Sequence, residues 1–198
     1  ARRLAGTLAH PLNRPRFDAT TGRVVDGYGI VQPRVVPMLP DPGEGTWYQY
    51  LFAGPTGIDP YIGAVSDVYQ DLFRQGTYTG KGIYDVEAFE RSLNSRVPDN
   101  ALLSHDLFEG AHGRAGLVTD IVLLEDFPPH YPAYELRQHR WIRGDWQLLP
   151  WLRRRVPGPD GLEPNRLSLV SQWKIIDNLR RSLVPAALQL GGELLQLL

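Results

Sequence analysis

The chain has 198 residues, with 21 basic against 22 acidic side chains and a formal net charge of −1. That length suffices for one domain with a sizeable core, and the lack of a basic excess argues against wholesale nucleic-acid binding. Cysteine is absent, which excludes disulfides and thiolate metal sites.

Residues 1–10 are expected to form a helix running into His10-Pro11, and the turn-rich segment from Asn13 to Asp26 a loop or hairpin. Gly29 to Val36 reads as a buried strand, and Pro33 within it makes that strand an edge or a bulged one. After a Pro/Gly turn at Pro40 to Gly45, the aromatic run Trp47 to Phe52 opens a helix. Gly54 to Pro60 reads as a rigid loop, while Ala64 to Phe73 fits helix or strand. Gly80-Lys81-Gly82 leads into a short strand at Ile83-Tyr84. Asp85 then caps a helix that carries Val86, Phe89 and Leu93 on one face and ends near Pro98.

Leu102 to Asp106 approaches a further helix beginning near Leu107, with Asp106 at or near its start, and Leu117 to Leu124 is a candidate strand. Pro132 suits the first turn of a helix continuing to about Leu149, where Pro150 stops or kinks it. A basic, proline-flanked turn from Arg153 to Pro164 precedes a last helix from Leu167 to about Leu183. Alternating strands and helices with elaborate loops give an α/β class. The apolar tail from Val184 carries Glu193 and is too short for a membrane span. With no initiator Met and no signal-peptide core after Ala1-Arg2-Arg3-Leu4, the sequence is expected to be a piece of something larger.

Two features point to chemistry. Asp106, beside His105 at a helix start, could act as a general base if it faces a cleft and stays charged; the same position also suits a plain helix cap. About thirty residues later, Arg137-Gln138-His139-Arg140-Trp141 opens a helix face on which Arg137, Arg140, Trp141 and Gly144 align, while Gln138, Trp141 and Asp145 lie along another. Arginines at a helix start oppose its dipole, a cost relieved by an anion such as a departing pyrophosphate; a tryptophan next to them offers a face to a sugar ring. The alternative is a surface helix whose arginines pair with Glu135 and Asp145 while Trp141 and Trp146 pack inward. Lys81 could reach a donor or acceptor oxygen. His10, His112, His130 and His139 lack ligand spacing and read as surface or capping residues.

These motifs resemble the second half of the catalytic domain in processive glycosyltransferases of the cellulose synthase type. Longer phrases narrow the likeness: Ala9 to Pro15, Gly27 to Val35, Ala64 to Phe73, Leu102 to Gly110 and Arg137 to Trp151 together resemble the glycosyltransferase region of bacterial cyclic β-1,2-glucan synthases. The resemblance implies a partial GT-A-like domain, a mixed sheet flanked by helices, truncated at both ends. It assigns residues 1–183 to the second half of the catalytic domain and 184–198 to the start of a connection toward a membrane segment. It implies an inverting transfer of glucose from UDP-glucose to a growing β-1,2-glucan at the cytoplasmic side of the bacterial inner membrane. Asp106 would be the catalytic base, and Arg137, Gln138, Arg140 and Trp141 the donor-phosphate and acceptor motif, with Arg137 standing where cellulose synthases carry Gln.

The family also uses a divalent cation, Mg or Mn, held mainly by an Asp-x-Asp pair. No Asp-x-Asp occurs in this sequence, so the piece alone is expected to be inactive and to hold no metal of its own. Two rival readings remain. A glycoside hydrolase or phosphorylase would use Asp106 and Glu109 across roughly 5 to 10 Å. A non-catalytic glucan-binding module would use exposed aromatic rings.

Overall fold

The structure, a computed structural model, describes residues 1–53, 67–102 and 105–196. In chain order its elements are α1 (Arg2–Ala9), β1 (Arg16–Phe17), β2 (Val24–Asp26), β3 (Ile30–Met38), α2 (Trp47–Phe52), α3 (Val68–Phe73), β4 (Ile83–Tyr84), α4 (Val86–Leu93), α5 (Asp106–Gly113), β5 (Ala115–Asp126), α6 (Tyr131–Gln147), β6 (Arg155–Gly158), β7 (Gly161–Pro164) and α7 (Leu169–Gln196). The expected loops at Gly54 to Pro60 and the first residues of the Ala64 to Phe73 segment lie outside the described residues, as do Leu103 and Ser104.

The framework is a mixed three-stranded sheet in the order β4–β3–β5 with helices around it. β3 runs parallel to β5 and antiparallel to β4. Pro33 shapes this sheet twice. Among the described residues β4 pairs with β3 only at Ile30 and Val31, and no other strand pairs with that side from Gln32 onward, where a residue without an N–H is tolerated. The register with β5 also slips between Pro33 and Arg34, a bulge at the proline.

Local capping explains the short helices. Thr46 and Gln49 form a capping box on α2. Asp67 accepts from the backbone N–H of Tyr69 at 2.8 Å and of Gln70 at 3.3 Å to start α3, and Asp85 accepts from Ala88 at 2.8 Å to start α4. The segment ambiguous by pattern is therefore helical from Val68.

Two expectations about the elements fail. The basic turn from Arg153 to Pro164 is an antiparallel hairpin, β6–β7, closed by Gly158 opposite Gly161 around Pro159-Asp160. The last helix does not end near Leu183 but runs through Pro185 to Gln196. A proline removes one N–H bond, and the Ala- and Leu-rich residues after it have high helix propensity. Among the described residues, no helix is long and apolar enough to cross a membrane.

The core fixes α5. Its Leu107, Phe108 and Ala111 pack with Leu148, Trp151, Val156, Leu167 and Ile175. At its C-terminal end Arg23 donates to the Ala111 carbonyl from Nε at 3.1 Å and Nη2 at 2.9 Å, and Gly29 N–H donates to Gly113 at 2.8 Å, so carbonyls left over by the helix are satisfied. His112, expected at the surface or as a cap, is instead buried here with Nδ1 3.0 Å from the Phe108 carbonyl oxygen. Burial pushes its pKa down to about 3, so the ring is neutral. A helix anchored along its length and at its far end presents its first turn in a defined place. Asp106 stands on that turn.

Candidate active site

Asp106 is the first residue of α5, and the cap position belongs to His105, which makes no side-chain cap bond. Unlike Asp67 and Asp85, Asp106 does not spend its carboxylate on the helix: no hydrogen bond to it is found among the described residues. The carboxylate instead lines an open cleft of about 120 Å³, facing Lys81, Tyr78 and Trp141. Burial is the main cause that raises its pKa to about 6, reinforced by the charge of Glu109 and opposed by Arg140 and Lys81. The helix dipole would favour the charged form, but desolvation prevails. Near neutral pH the group is largely ionised yet basic enough to accept a proton, the poise of a general base.

The wall opposite α5 is built by a buried glutamine. Gln32, fully buried on β3, donates from Nε2 to the Thr77 carbonyl and accepts from Thr79 N–H at 3.0 Å. This amide pins residues 77–79, placing Tyr78 in the cleft wall and Gly80 directly against the Asp106 carboxylate. Tyr78 is pushed up to about 12, by burial first and then by Glu109 and Asp106, so its hydroxyl stays protonated and can donate. Lys81, next along, pairs with Glu125. Gln32→Leu keeps the volume but leaves Thr77 and Thr79 without their partner, and is expected to destabilise the protein by about 2 kcal/mol, read as a drop in melting temperature.

The third wall comes from α6 and α7. His105 lies against Gly144 of α6, where a Cβ would come 3.1 Å from the ring, so a larger residue would push the ring back by a few tenths of an ångström. Burial and Arg181 push His105 down to about 4. The ring is therefore neutral at pH 7, and its 3.7 Å approach to Asp145 is not an ion pair. Asp145, buried on α6, joins the helices by accepting from Asn178 at 3.3 Å and from Arg181 at 3.4 Å.

The structure thus brings together Asp106, Lys81 and Trp141, but not the whole arginine motif. Both arginines sit well inside α6, which begins at Tyr131, so the helix-dipole argument for an anion between them does not apply. Arg140 is exposed and outside the cleft wall, close enough to act on Asp106 through its charge. Arg137 turns away: its guanidinium carbon lies 5.0 Å from the Trp141 ring centre, 5.7 Å from Phe127 and 5.8 Å from Tyr134. Gln138 is half-buried and outside the wall. Neither Arg pairs with Asp145, whose partner is Arg181. Sequence reasoning did not single out Asn178 and Arg181 as site residues; their one-turn spacing on α7 is common on any helix and carries no signal by itself.

Among the described residues no group of three or more His, Asp or Glu could hold a metal ion. In the cleft, Glu125 is engaged by Lys81 and Asp145 by Arg181. These carboxylates do not make the oxygen-rich set a divalent cation needs.

A basic carboxylate, a protonated phenol, cations and a tryptophan around one cleft in an α/β frame form a site suited to a polyhydroxylated or anionic ligand, as in carbohydrate-handling enzymes. No protein-family model matches the chain. Over 186 residues, 93% of its length, it is 52% identical to the cyclic beta-(1,2)-glucan synthase NdvB of Rhizobium meliloti (strain 1021), and it spans 6% of that protein's length. The sequence resemblance to cyclic β-1,2-glucan synthases is thereby borne out along almost the whole chain.

Proposed function

We propose that the cleft is the glucosyl-transfer site of a cyclic β-1,2-glucan synthase, with a GT-A-like catalytic domain and UDP-glucose as donor. One observation carries this reading: Asp106, uncapped and half-buried on the first turn of α5, shares its cleft with Trp141 and lies in the field of Arg140 and Lys81. A glucan hydroxyl attacks the anomeric carbon from the face opposite the leaving group, which inverts the configuration. As the new C–O bond forms, the bond to UDP breaks and its electron pair leaves on the diphosphate. Asp106 takes the hydroxyl proton, Trp141 carries the acceptor ring, and Arg140 and Lys81 offset the growing negative charge, with Arg137 and Gln138 completing the motif around Trp141.

The same proposal includes a divalent cation, Mg or Mn, on an Asp-x-Asp pair outside this sequence, inactivity of these residues on their own, and work at the cytoplasmic face of a bacterial inner membrane that residues 184–198 approach. The paired-carboxylate hydrolase reading is less well supported, because Glu109 acts on Asp106 through its charge without being part of the cleft wall.

The test is incorporation of labelled glucose from UDP-glucose into β-1,2-linked product by the complete protein. Arg140→Ala is expected to lower it at least tenfold; wild-type turnover in that variant removes the arginine from the mechanism. The pH profile is a second check. Because Asp106 works only when ionised, kcat/KM is expected to fall with an acid limb near pH 6. Glu109→Gln removes a charge that raises the Asp106 pKa and should move that limb to lower pH. Arg140→Gln removes one that lowers it and should move the limb to higher pH.

A further inference from the structure

We infer that Arg181 on α7 is a second guanidinium for the donor's diphosphate, with Asp145 as the residue that positions it. The inference rests on the UDP-glucose reading of the cleft and extends it to a residue outside the Arg137–Trp141 motif. Arg181 lines the cleft with Asp106, Lys81 and Trp141, whereas the guanidinium groups of Arg137 and Arg140 do not.

Its attachment to Asp145 leaves it able to bind. One nitrogen, Nη2, donates to Oδ1 at 3.4 Å and lies 3.3 Å from Oδ2. Arginine–carboxylate pairs are frequently bidentate, with two parallel N–H donors. Here Nε and Nη1 have no partner among the described residues. The pair is also asymmetric in exposure: the Asp145 side chain is 3% exposed and that of Arg181 37%. The carboxylate is fixed below the surface while the guanidinium reaches the opening.

Asp145 refers that position to the catalytic helix. It accepts from Asn178 one turn earlier on α7 and lies 3.7 Å from His105, the residue preceding Asp106. The guanidinium therefore has a place defined relative to the base, which is what a leaving diphosphate needs on the far side of the reacting carbon. Both cations of the cleft are ion-paired, Lys81 with Glu125 and Arg181 with Asp145, but Arg181 keeps Nε and Nη1 for an arriving diphosphate.

The experiment is an equilibrium titration of the complete protein with UDP and, separately, with uridine, which lacks the phosphates. Arg181→Gln is expected to weaken UDP about ten- to a hundredfold and leave uridine unchanged, since charge-assisted bonds to phosphate are the strong ones. Because that variant removes the cationic partner of a buried carboxylate, the double variant Asp145→Asn with Arg181→Gln is measured alongside. It should melt close to wild type yet keep the UDP defect, and Arg181→Lys, which retains the charge without the fork, should show the same split. Wild-type UDP affinity in the double variant, or equal losses for UDP and uridine, overturns the role given to Arg181. Asp106→Asn separates this from the larger reading: if that variant turns over normally, or the wild-type protein binds no UDP, the donor site itself is wrong and Arg181 falls with it. If UDP binds and Asp106→Asn is inactive while Arg181→Gln binds UDP as wild type does, only the Arg181 role fails.

Discussion

Asp106→Asn in the complete protein is expected to cut glucosyl transfer from UDP-glucose by about 10²- to 10⁴-fold while leaving UDP affinity near wild type. Asparagine keeps the size of the side chain and removes its ability to take a proton, so only the step that moves the acceptor proton suffers. The direction of the stability change is a second signature. The folded-state pKa of Asp106 is raised from 3.8 to about 6. The folded protein therefore holds the proton more tightly than the unfolded chain, and the group's contribution to stability declines as pH rises from about 3.8 through about 6. At neutral pH the ionised carboxylate is a burden on the fold, and the Asn variant is expected to melt at or above the wild-type temperature. Loss of activity with unchanged or improved stability marks a residue kept for chemistry. A variant that loses activity because it melts early would return Asp106 to the status of a structural residue, and one with full activity would remove the general base.

This signature separates the two readings of Asp106 that the sequence left open. At a helix start, an aspartate that caps and an aspartate that catalyses look alike in sequence, because the same short polar side chain suits both tasks. Asp85 was legible as a cap and does cap α4; the spacing of Val86, Phe89 and Leu93 located that helix for the same local reason. Pro33 was legible too, since a missing N–H constrains its strand wherever the strand lies. What escaped were properties set by distant partners. Arg137 has three aromatic rings around it, and one of them, Phe127, comes from outside α6, which helix periodicity does not encode. His112 is buried beside the Phe108 ring, in a pocket that Trp151, Val156 and Leu167 from distant parts of the chain help to line. The β6–β7 hairpin was hidden by its prolines and arginines, although Asp160-Gly161 is a turn signal. Arg181 entered the cleft only once Asp145 had joined α6 to α7.

Gly80→Ala is expected to lower transfer on the order of 10²-fold by adding one methyl group at a residue with no part in the reaction. Gly80 has φ +82, and a Cβ there would lie 2.6 Å from Oδ2, 2.8 Å from Cγ and 2.8 Å from Oδ1 of Asp106. Contacts that short force something to move. The Gly80 side cannot easily retreat, because Gln32 holds Thr77 and Thr79 and Lys81 is paired with Glu125. The short Asp106 side chain, on a helix fixed by its core and its capped end, must therefore rotate out of position. The left-handed backbone adds a stability cost of about 1–2 kcal/mol for any side chain, so activity alone would not separate the two effects. Gly43 provides the control: its φ is +91 and a Cβ there would meet nothing within 4 Å. Gly43→Ala should lose similar stability and keep its transfer rate, whereas Gly80→Ala should lose both with UDP affinity retained. If the two variants transfer glucose equally well, Gly80 does not set the position of the Asp106 carboxylate, and the close packing between them has no catalytic consequence.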